Sequence, residues 1–365
     1  MAPTGVAAFN VNGITIHRFF GMGPSSQEPN YVKLDEMIKL YPKVMLLVDE
    51  FSMISNQLLN IMNDALIRTT QRAAAMGGIK TVFFGDVAQL LPVCIREGLI
   101  WESAVYNYST KFTLYTPIRQ VDQVLINVLN KVRVCNYDEE VIKFINYRTV
   151  LKSDLPANCL RLYTTRKNVD RANIKEFCNL AGESMTIPSI DTFNGGNRKS
   201  AARALKETRL IEELQLKIDM PVMLLQNLRV SQGWVNGTLA TISEVYEENI
   251  LLLKQNSDGS HQTLWIQRIT RSIPGTSYVR SQFPIVPAFA TTIHKAQSIT
   301  IDSVAIHLDD MASHGQMYVA MSRVRKADDL YFFGADLPVR IKRKFGVNID
   351  AIDMIQYSEQ TLYTS

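Results

Sequence analysis

Met45-Leu46-Leu47-Val48-Asp49-Glu50 decides how this chain reads: a short apolar run that stops abruptly at two carboxylates. A strand covered on both faces appears as an unbroken apolar run, and ligands of open α/β sheets gather at the carboxyl ends of such strands. A helical pattern follows from about Ser55 to Ala75, with Leu58, Leu59, Ile61, Met62 and Leu66 recurring at helical spacing. The next apolar run, Thr81-Val82-Phe83-Phe84, ends in Gly85-Asp86-Val87-Ala88-Gln89. Strand, helix, strand in that order predicts a parallel sheet. The residues alone leave two meanings open for Asp49-Glu50. In a phosphate-hydrolysing site the first carboxylate would help hold Mg²⁺ and the second would polarise the attacking water. Otherwise they are a solvated start to a helix. Gln89 has the same two options, a phosphate or water ligand or an exposed turn residue.

Outward from this stretch, strands are predicted at Leu160–Tyr163, Pro221–Leu225, Val304–Leu308 and Leu330–Phe333, and helices at Gln123–Val134, Asn168–Leu180 and Gly315–Val324. Between about Gly237 and Arg271 the pattern changes to short alternating strands (Leu239–Val245, Ile250–Lys254, Gln262–Ile266) broken by Asn256-Ser257-Asp258-Gly259. That is hairpin chemistry, and it predicts a small β-rich insertion inside a second α/β domain.

Composition sets the outer limits. At ~100–200 residues per domain, 365 residues suggest two domains or three small ones. Lys+Arg (39) minus Asp+Glu (35) gives +4, with 20% of the chain charged, which excludes a highly charged disordered tail or a strongly basic DNA-coating protein. No apolar run approaches the ~18 residues that would span a bilayer, so no membrane partner is expected. Cys94, Cys135, Cys159 and Cys178 are too scattered for a metal or redox pair, and an intracellular, reducing setting is the simple expectation.

Taken in order, several blocks resemble the petite-integration-frequency family of DNA helicases, superfamily one, type B. They are Thr4-Gly5-Val6-Ala7-Ala8 with Gly13-Ile14-Thr15-Ile16-His17 and Phe19, Asp49-Glu50 with Ser52-Met53, Gly85-Asp86 with Gln89 and Pro92-Val93, and Arg119-Gln120. Later come Met220–Leu225 with Asn227-Leu228 and Asn236-Gly237-Thr238, Pro287–Gln297, and Gly315–Val324. Each block is weak alone, but the ordered set runs from Thr4 to Val324.

The resemblance implies an α/β fold of two RecA-like parallel-sheet domains. The first covers residues 1–118 and the second 119–365, with a β-rich, SH3-like insertion at about 229–285. It implies an ATP-dependent helicase moving 5′ to 3′ on single-stranded DNA, with ATP and Mg²⁺ as cofactors and a DNA duplex or fork as further partner. The chain would act as a monomer, in repair, recombination or telomere maintenance, and in the nucleus or mitochondrion if eukaryotic. By motif position Asp49 resembles the Mg²⁺-site residue, Glu50 the catalytic base and Gln89 the γ-phosphate sensor, while Arg119 and Arg323 resemble two arginine fingers. A guanidinium stays charged and its fork matches phosphate oxygens. Gln316 lies either in the nucleotide cleft or on an exposed helix face. Thr4, Gly5, His17, Thr292, His294 and Lys295 are the expected DNA contacts, suited to holding a strand by its phosphates. Phe19 and Phe20 are expected in the core. The basic run Arg340, Lys342, Arg343, Lys344 reads best as a solvated helix face.

No GxxxxGK[ST] occurs in the sequence. Such a loop offers backbone N–H groups and a lysine to the phosphates. At ~1.5–3 kcal/mol per charged hydrogen bond, four missing bonds amount to roughly 6–12 kcal/mol. This polypeptide alone is therefore expected not to hydrolyse ATP at a useful rate, as a clipped or remnant helicase whose first-domain core is marginal. Two smaller departures are Leu91, where a proline is usual, and Ser298, where a glycine is usual. The competing readings are a non-catalytic single-strand-binding remnant and, third, a metal-dependent phosphohydrolase built on Asp49 and Glu50, against which the paired arginines speak.

Overall fold

A computed structural model describes residues 1–23, 28–156, 159–193, 201, 204–208, 210–255, 259–273, 276–308, 311, 313–334 and 348–360. The turn Asn256-Ser257-Asp258 and the basic run Arg340, Lys342, Arg343, Lys344 lie outside the described residues.

The first lobe carries the deciding strand. Strand β1 (Leu46–Val48) pairs parallel with β2 (Thr81–Phe83), in register Val48 to Phe83. The helix Asn56–Thr70 makes the crossover. Ser55 starts it, its hydroxyl accepting the Leu58 N–H at 3.1 Å. Its inward face buries Leu58, Leu59, Met62, Ala65 and Leu66, while Ile61 packs from the edge. The short helix Ile16–Phe20 and the helix Tyr31–Leu40 close this core with Ile16, Phe20 and Leu34. Phe20 is fully buried and Phe19 packs against the same cluster, as expected of both.

The second lobe is built on β3 (Leu160–Tyr163), followed by the helix Arg166–Asn179. Between that helix and the rest of this lobe's sheet lies a body of antiparallel strands. These are β4 (Met185–Pro188), β5 (Ile190–Thr192), β6 (Glu213–Leu216), β7 (Pro221–Leu224), β8 (Leu239–Val245), β9 (Asn249–Gln255), β10 (His261–Gln267), β11 (Ile269–Ser272), β12 (Val279–Gln282) and β13 (Ile285–Pro287). Then β14 (Ala290–Thr292), β15 (Val304–His307) and β16 (Leu330–Phe333) return to β3 in an all-parallel sheet of order β14-β3-β15-β16. Helices Gln123–Arg133, Glu139–Tyr147 and Gln316–Met321 contribute Leu125, Val128, Ile145, Met317 and Val319 to its core. β15 is buried at Val304, Ala305 and Ile306, the mark of a strand covered on both sides.

The β-rich body is wider than the sequence implied. Its main sheet has the order β10-β9-β8-β7-β13, so it already includes Pro221–Leu224 and ends at Pro287. Smaller sheets β4-β6 and β11-β12-β5 flank it, which brings its first strand forward to Met185. The boundary at 229 is displaced because an apolar run such as Pro-Val-Met-Leu looks the same in either kind of buried strand; only pairing tells them apart. Trp234 and Phe283 fill this body's core.

Candidate active site

β1 ends at Val48, so the next two residues emerge at the carboxyl edge of the first sheet. Asp49 is half-buried and its Oδ1 accepts the Glu50 N–H at 3.0 Å. Glu50 is buried and takes up a left-handed backbone, φ 54°. That is rare for a side chain other than glycine, and it turns the carboxylate out of the strand direction. Gly85 ends β2 beside it. A Cβ there would lie 2.9 Å from the Phe51 nitrogen, so glycine allows the close approach of the two strand ends.

The short stretch Gln297–Thr300, from the second lobe, touches the predicted residues one after another. Gln297 Nε2 donates to Glu50 Oε2 at 2.8 Å and to Gln89 Oε1 at 3.4 Å. The Ser298 hydroxyl donates to Glu50 Oε1. Arg323 Nη1 donates to the Ile299 carbonyl at 3.5 Å, and Arg119 Nε to Thr300 Oγ1 at 2.9 Å. Glu50, Gln89, Arg119 and Arg323 thus converge from separate segments. Gln297 Oε1 is buried there without a hydrogen-bond partner, an acceptor held ready inside the site.

The two arginines are positioned by neutral groups. Arg119 Nη1 donates to the Ser322 carbonyl at 3.1 Å. Arg323, only 1% exposed, donates from Nε to the Val319 carbonyl at 2.7 Å and from Nη2 to Ser322 Oγ at 2.7 Å. Among the described residues no carboxylate makes a salt bridge with either one. Burial, then the charge of Arg119, pushes the Arg323 guanidinium down to about 9, which still leaves it charged at neutral pH. Burial lowers Arg119 too, opposed by Tyr318 and Glu50. The charge of Glu50 acts on both guanidiniums without forming an ion pair, so two neighbouring cations lack a direct counter-charge, an arrangement that favours an arriving anion.

Gln316 is buried, and its Oε1 accepts the Ser313 N–H at 3.2 Å. The exposed-face option is therefore wrong, because the start of its helix is pressed against the Gln89 loop. Gly315 (φ 76°) makes that possible, since a Cβ would sit 2.5 Å from the Gln89 carbonyl.

The six expected DNA contacts fall into two groups. On the first lobe, Thr4 Oγ1 accepts the Ala7 N–H at 3.2 Å, a Cβ added at Gly5 would meet nothing within 4 Å, and His17 is exposed. Gly5 also lines a cleft of about 250 Å³ with Thr15, Arg18, Thr208 and Arg271. On the second lobe, Thr292 is buried as the helix cap, accepting the Lys295 N–H at 3.2 Å, and it leaves His294 and Lys295 exposed. Asn10 joins the two groups indirectly, its Nδ2 donating to the Ser298 carbonyl at 3.2 Å.

A profile described as PIF1-like helicase matches residues 1–145, and one described as DNA helicase Pif1, 2B domain, matches residues 210–245. The ATP-dependent DNA helicase Pif1 of Bdellovibrio bacteriovorus is 30% identical over 351 residues, spanning 92% of this chain and 77% of that protein. The chain belongs to the PIF1-like helicase family. The human ATP-dependent DNA helicase PIF1 is 29% identical over 352 residues, covering 90% of this chain and 53% of the human one, so the chain spans about half the length of that relative. The Pif1 helicase structure from Candida albicans superposes with a TM-score of 0.71 at 27% identity, covering 98% of this chain and 88% of that one. Bacteroides sp Pif1, solved in complex with ADP-AlF4, gives 0.79 at 22% identity, over 99% and 86%. These neighbours agree with the two-lobed α/β fold.

Several contributors to the site of this PIF1-like helicase have no role legible in its sequence. Gln297 closes the block Pro287–Gln297 without an evident role, and Ser298 stands out in sequence only as a serine where a glycine is usual. Gly315 opens the block Gly315–Val324 without a role of its own, and Thr300 and Asn10 carry no local signal, because their partners are far away in sequence.

Proposed function

We propose that this chain is the motor of an ATP-dependent DNA helicase that moves 5′ to 3′ on single-stranded DNA and unwinds the duplex or fork ahead. The observation carrying this reading is the convergence of Glu50, Gln89, Arg119 and Arg323 on Gln297–Thr300, with no ion pair between either guanidinium and a carboxylate among the described residues.

In this reading Glu50 accepts the proton of the attacking water, held in place by Gln297 and Ser298. Gln89 senses the terminal phosphate. Arg119 and Arg323 stabilise the charge spreading over the transferred group. Mg·ATP supplies the phosphoanhydride bond and the cation, and Asp49 is the carboxylate for that cation. Among the described residues no group of three or more His, Cys, Asp or Glu gathers to form a metal cage. A single carboxylate suits Mg²⁺, which keeps waters and phosphate oxygens as its other ligands. Because Glu50 and Gln89 belong to one lobe and Gln297–Thr300, Arg119 and Arg323 to the other, a terminal phosphate held by Gln89 and the two arginines together would favour closure, and its loss opening. A strand held by Thr4, Gly5 and His17 on one side and by Thr292, His294 and Lys295 on the other would advance with each cycle.

A second reading is a passive single-strand-binding module, favoured by the exposed His17, His294 and Lys295. Anisotropy of a labelled oligothymidylate, with and without Mg·ATP, separates the two. The motor reading expects nucleotide to change DNA affinity. Equal affinity in both conditions would leave the passive module. Phosphate release by this polypeptide alone is expected to be negligible, and brisk turnover would refute that part.

A further inference from the structure

Ser298 sits at the end of a continuous polar line. Asn236, from the β-rich body, donates from Nδ2 to Asn10 Oδ1 at 3.0 Å. Asn10, the last residue of the short helix Gly5–Asn10, donates from Nδ2 to the Ser298 carbonyl at 3.2 Å. Ser298 then donates its hydroxyl to Glu50 Oε1. Both ends of the Asn10 amide are engaged, so a displacement of its helix pulls directly on the Ser298 backbone. That backbone lies at φ 65°, a conformation a non-glycine residue holds only while its surroundings force it. Release of that constraint would let residue 298 relax to ordinary backbone and carry the hydroxyl away from Glu50. Gln297 is anchored differently, through Glu50 Oε2 and Gln89, so the two Glu50 oxygens answer to different partners.

We propose that Ser298 is a positioning residue for Glu50, and that Asn10 makes its hold on the carboxylate depend on what occupies Thr4 and Gly5 at the other end of its helix, so that single-stranded DNA seated there resets Glu50. This rests on the reading of Glu50 as the base and of Thr4-Gly5 as strand contacts. A two-state element biased from both ends is the physical requirement for such coupling, and the left-handed residue between two hydrogen bonds supplies it.

The test uses the full chain labelled with ¹³C at the glutamate side-chain carboxyl, the Glu50 signal being identified by its loss in Glu50→Gln. Oligothymidylate binding is followed separately by anisotropy. In the native chain, saturating DNA moves the Glu50 signal. In Asn10→Ala and in Ser298→Gly, which suits φ 65° and so should fold, DNA still binds but the DNA-induced movement is lost. If those variants alter the Glu50 signal without DNA yet keep the native response to it, the hydrogen bonds are only structural and the proposal is overturned. DNA that binds the native chain without moving the signal overturns it as well. A native chain that binds no DNA fails the earlier reading itself, and the coupling falls with it.

Discussion

Glu50 and Ser298, 248 residues apart in the chain, both hold left-handed backbones (φ 54° and 65°) and meet side chain to side chain, the Ser298 hydroxyl donating to Glu50 Oε1. Two residues in sparsely populated conformations, each costing ~1–3 kcal/mol, persist only where the surroundings over-determine them. Here the surroundings are Gln297, Asn10 and the two strand ends.

Gly237 tests how tightly the β-rich body clamps this stretch. It has φ 92°, and a Cβ would lie 2.1 Å from the Thr300 carbonyl oxygen, whereas Gly259 (φ 82°) has nothing within 4 Å. Gly259→Ala should therefore cost only the backbone strain, ~1–2 kcal/mol. Gly237→Ala adds a backbone collision and should cost at least ~3 kcal/mol. Urea midpoints compare them. Equal losses would mean the clamp yields freely.

Arg323→Met removes a buried charge with no carboxylate partner but keeps the volume. Removing an unpaired buried charge relieves its desolvation penalty, which is several kcal/mol per ion. Three hydrogen bonds to Val319, Ile299 and Ser322 are lost with it, so stability without nucleotide should stay near the native value. Any effect of Mg·ATP on DNA affinity should vanish. A chemical-denaturation loss above ~3 kcal/mol would make Arg323 a structural anchor instead.

Lys295 is the permanent cation among the six expected DNA contacts, and it is exposed. Each phosphate contact on single strands contributes about −0.7 to the slope of log affinity against log salt. Lys295→Ala should flatten that slope by about this amount. An unchanged slope would place Lys295 away from the strand.

His314 makes stability depend on pH. It is 5% exposed, its Nδ1 accepts the Asn348 N–H at 3.1 Å, and burial holds its pKa below the usual 6.5. A lowered imidazole pKa means the unfolded chain takes up the proton first, so the stabilising contribution is complete above about pH 6.5 and declines below it. The slope from this one group cannot exceed ~1.4 kcal/mol per pH unit. His314→Asn, which keeps an acceptor, should remove part of the acid-side fall in thermal midpoint. An unchanged profile would assign the fall to other groups.

The strands β1, β2, β3, β15 and β16 and the helix Asn56–Thr70 were all visible in the sequence. Buried parallel strands write themselves as apolar runs, and the helix repeats its buried face every three to four residues. Asp49, Glu50, Gln89, Arg119 and Arg323 could be singled out too, since chemistry limits which side chains serve a phosphate. What sequence order cannot encode is who faces whom. Pro221–Leu224 joined an antiparallel sheet because β8 and β13 lay beside it, not because its residues differ from those of β15. Ser298 reaches Glu50 and Gly315 admits the Gln89 loop for the same reason: a hydrogen bond or a missing Cβ matters only once folding has brought distant segments within a few ångströms. The chain's own letters determined the parts and their chemistry; tertiary packing alone decided the contacts that make them one site.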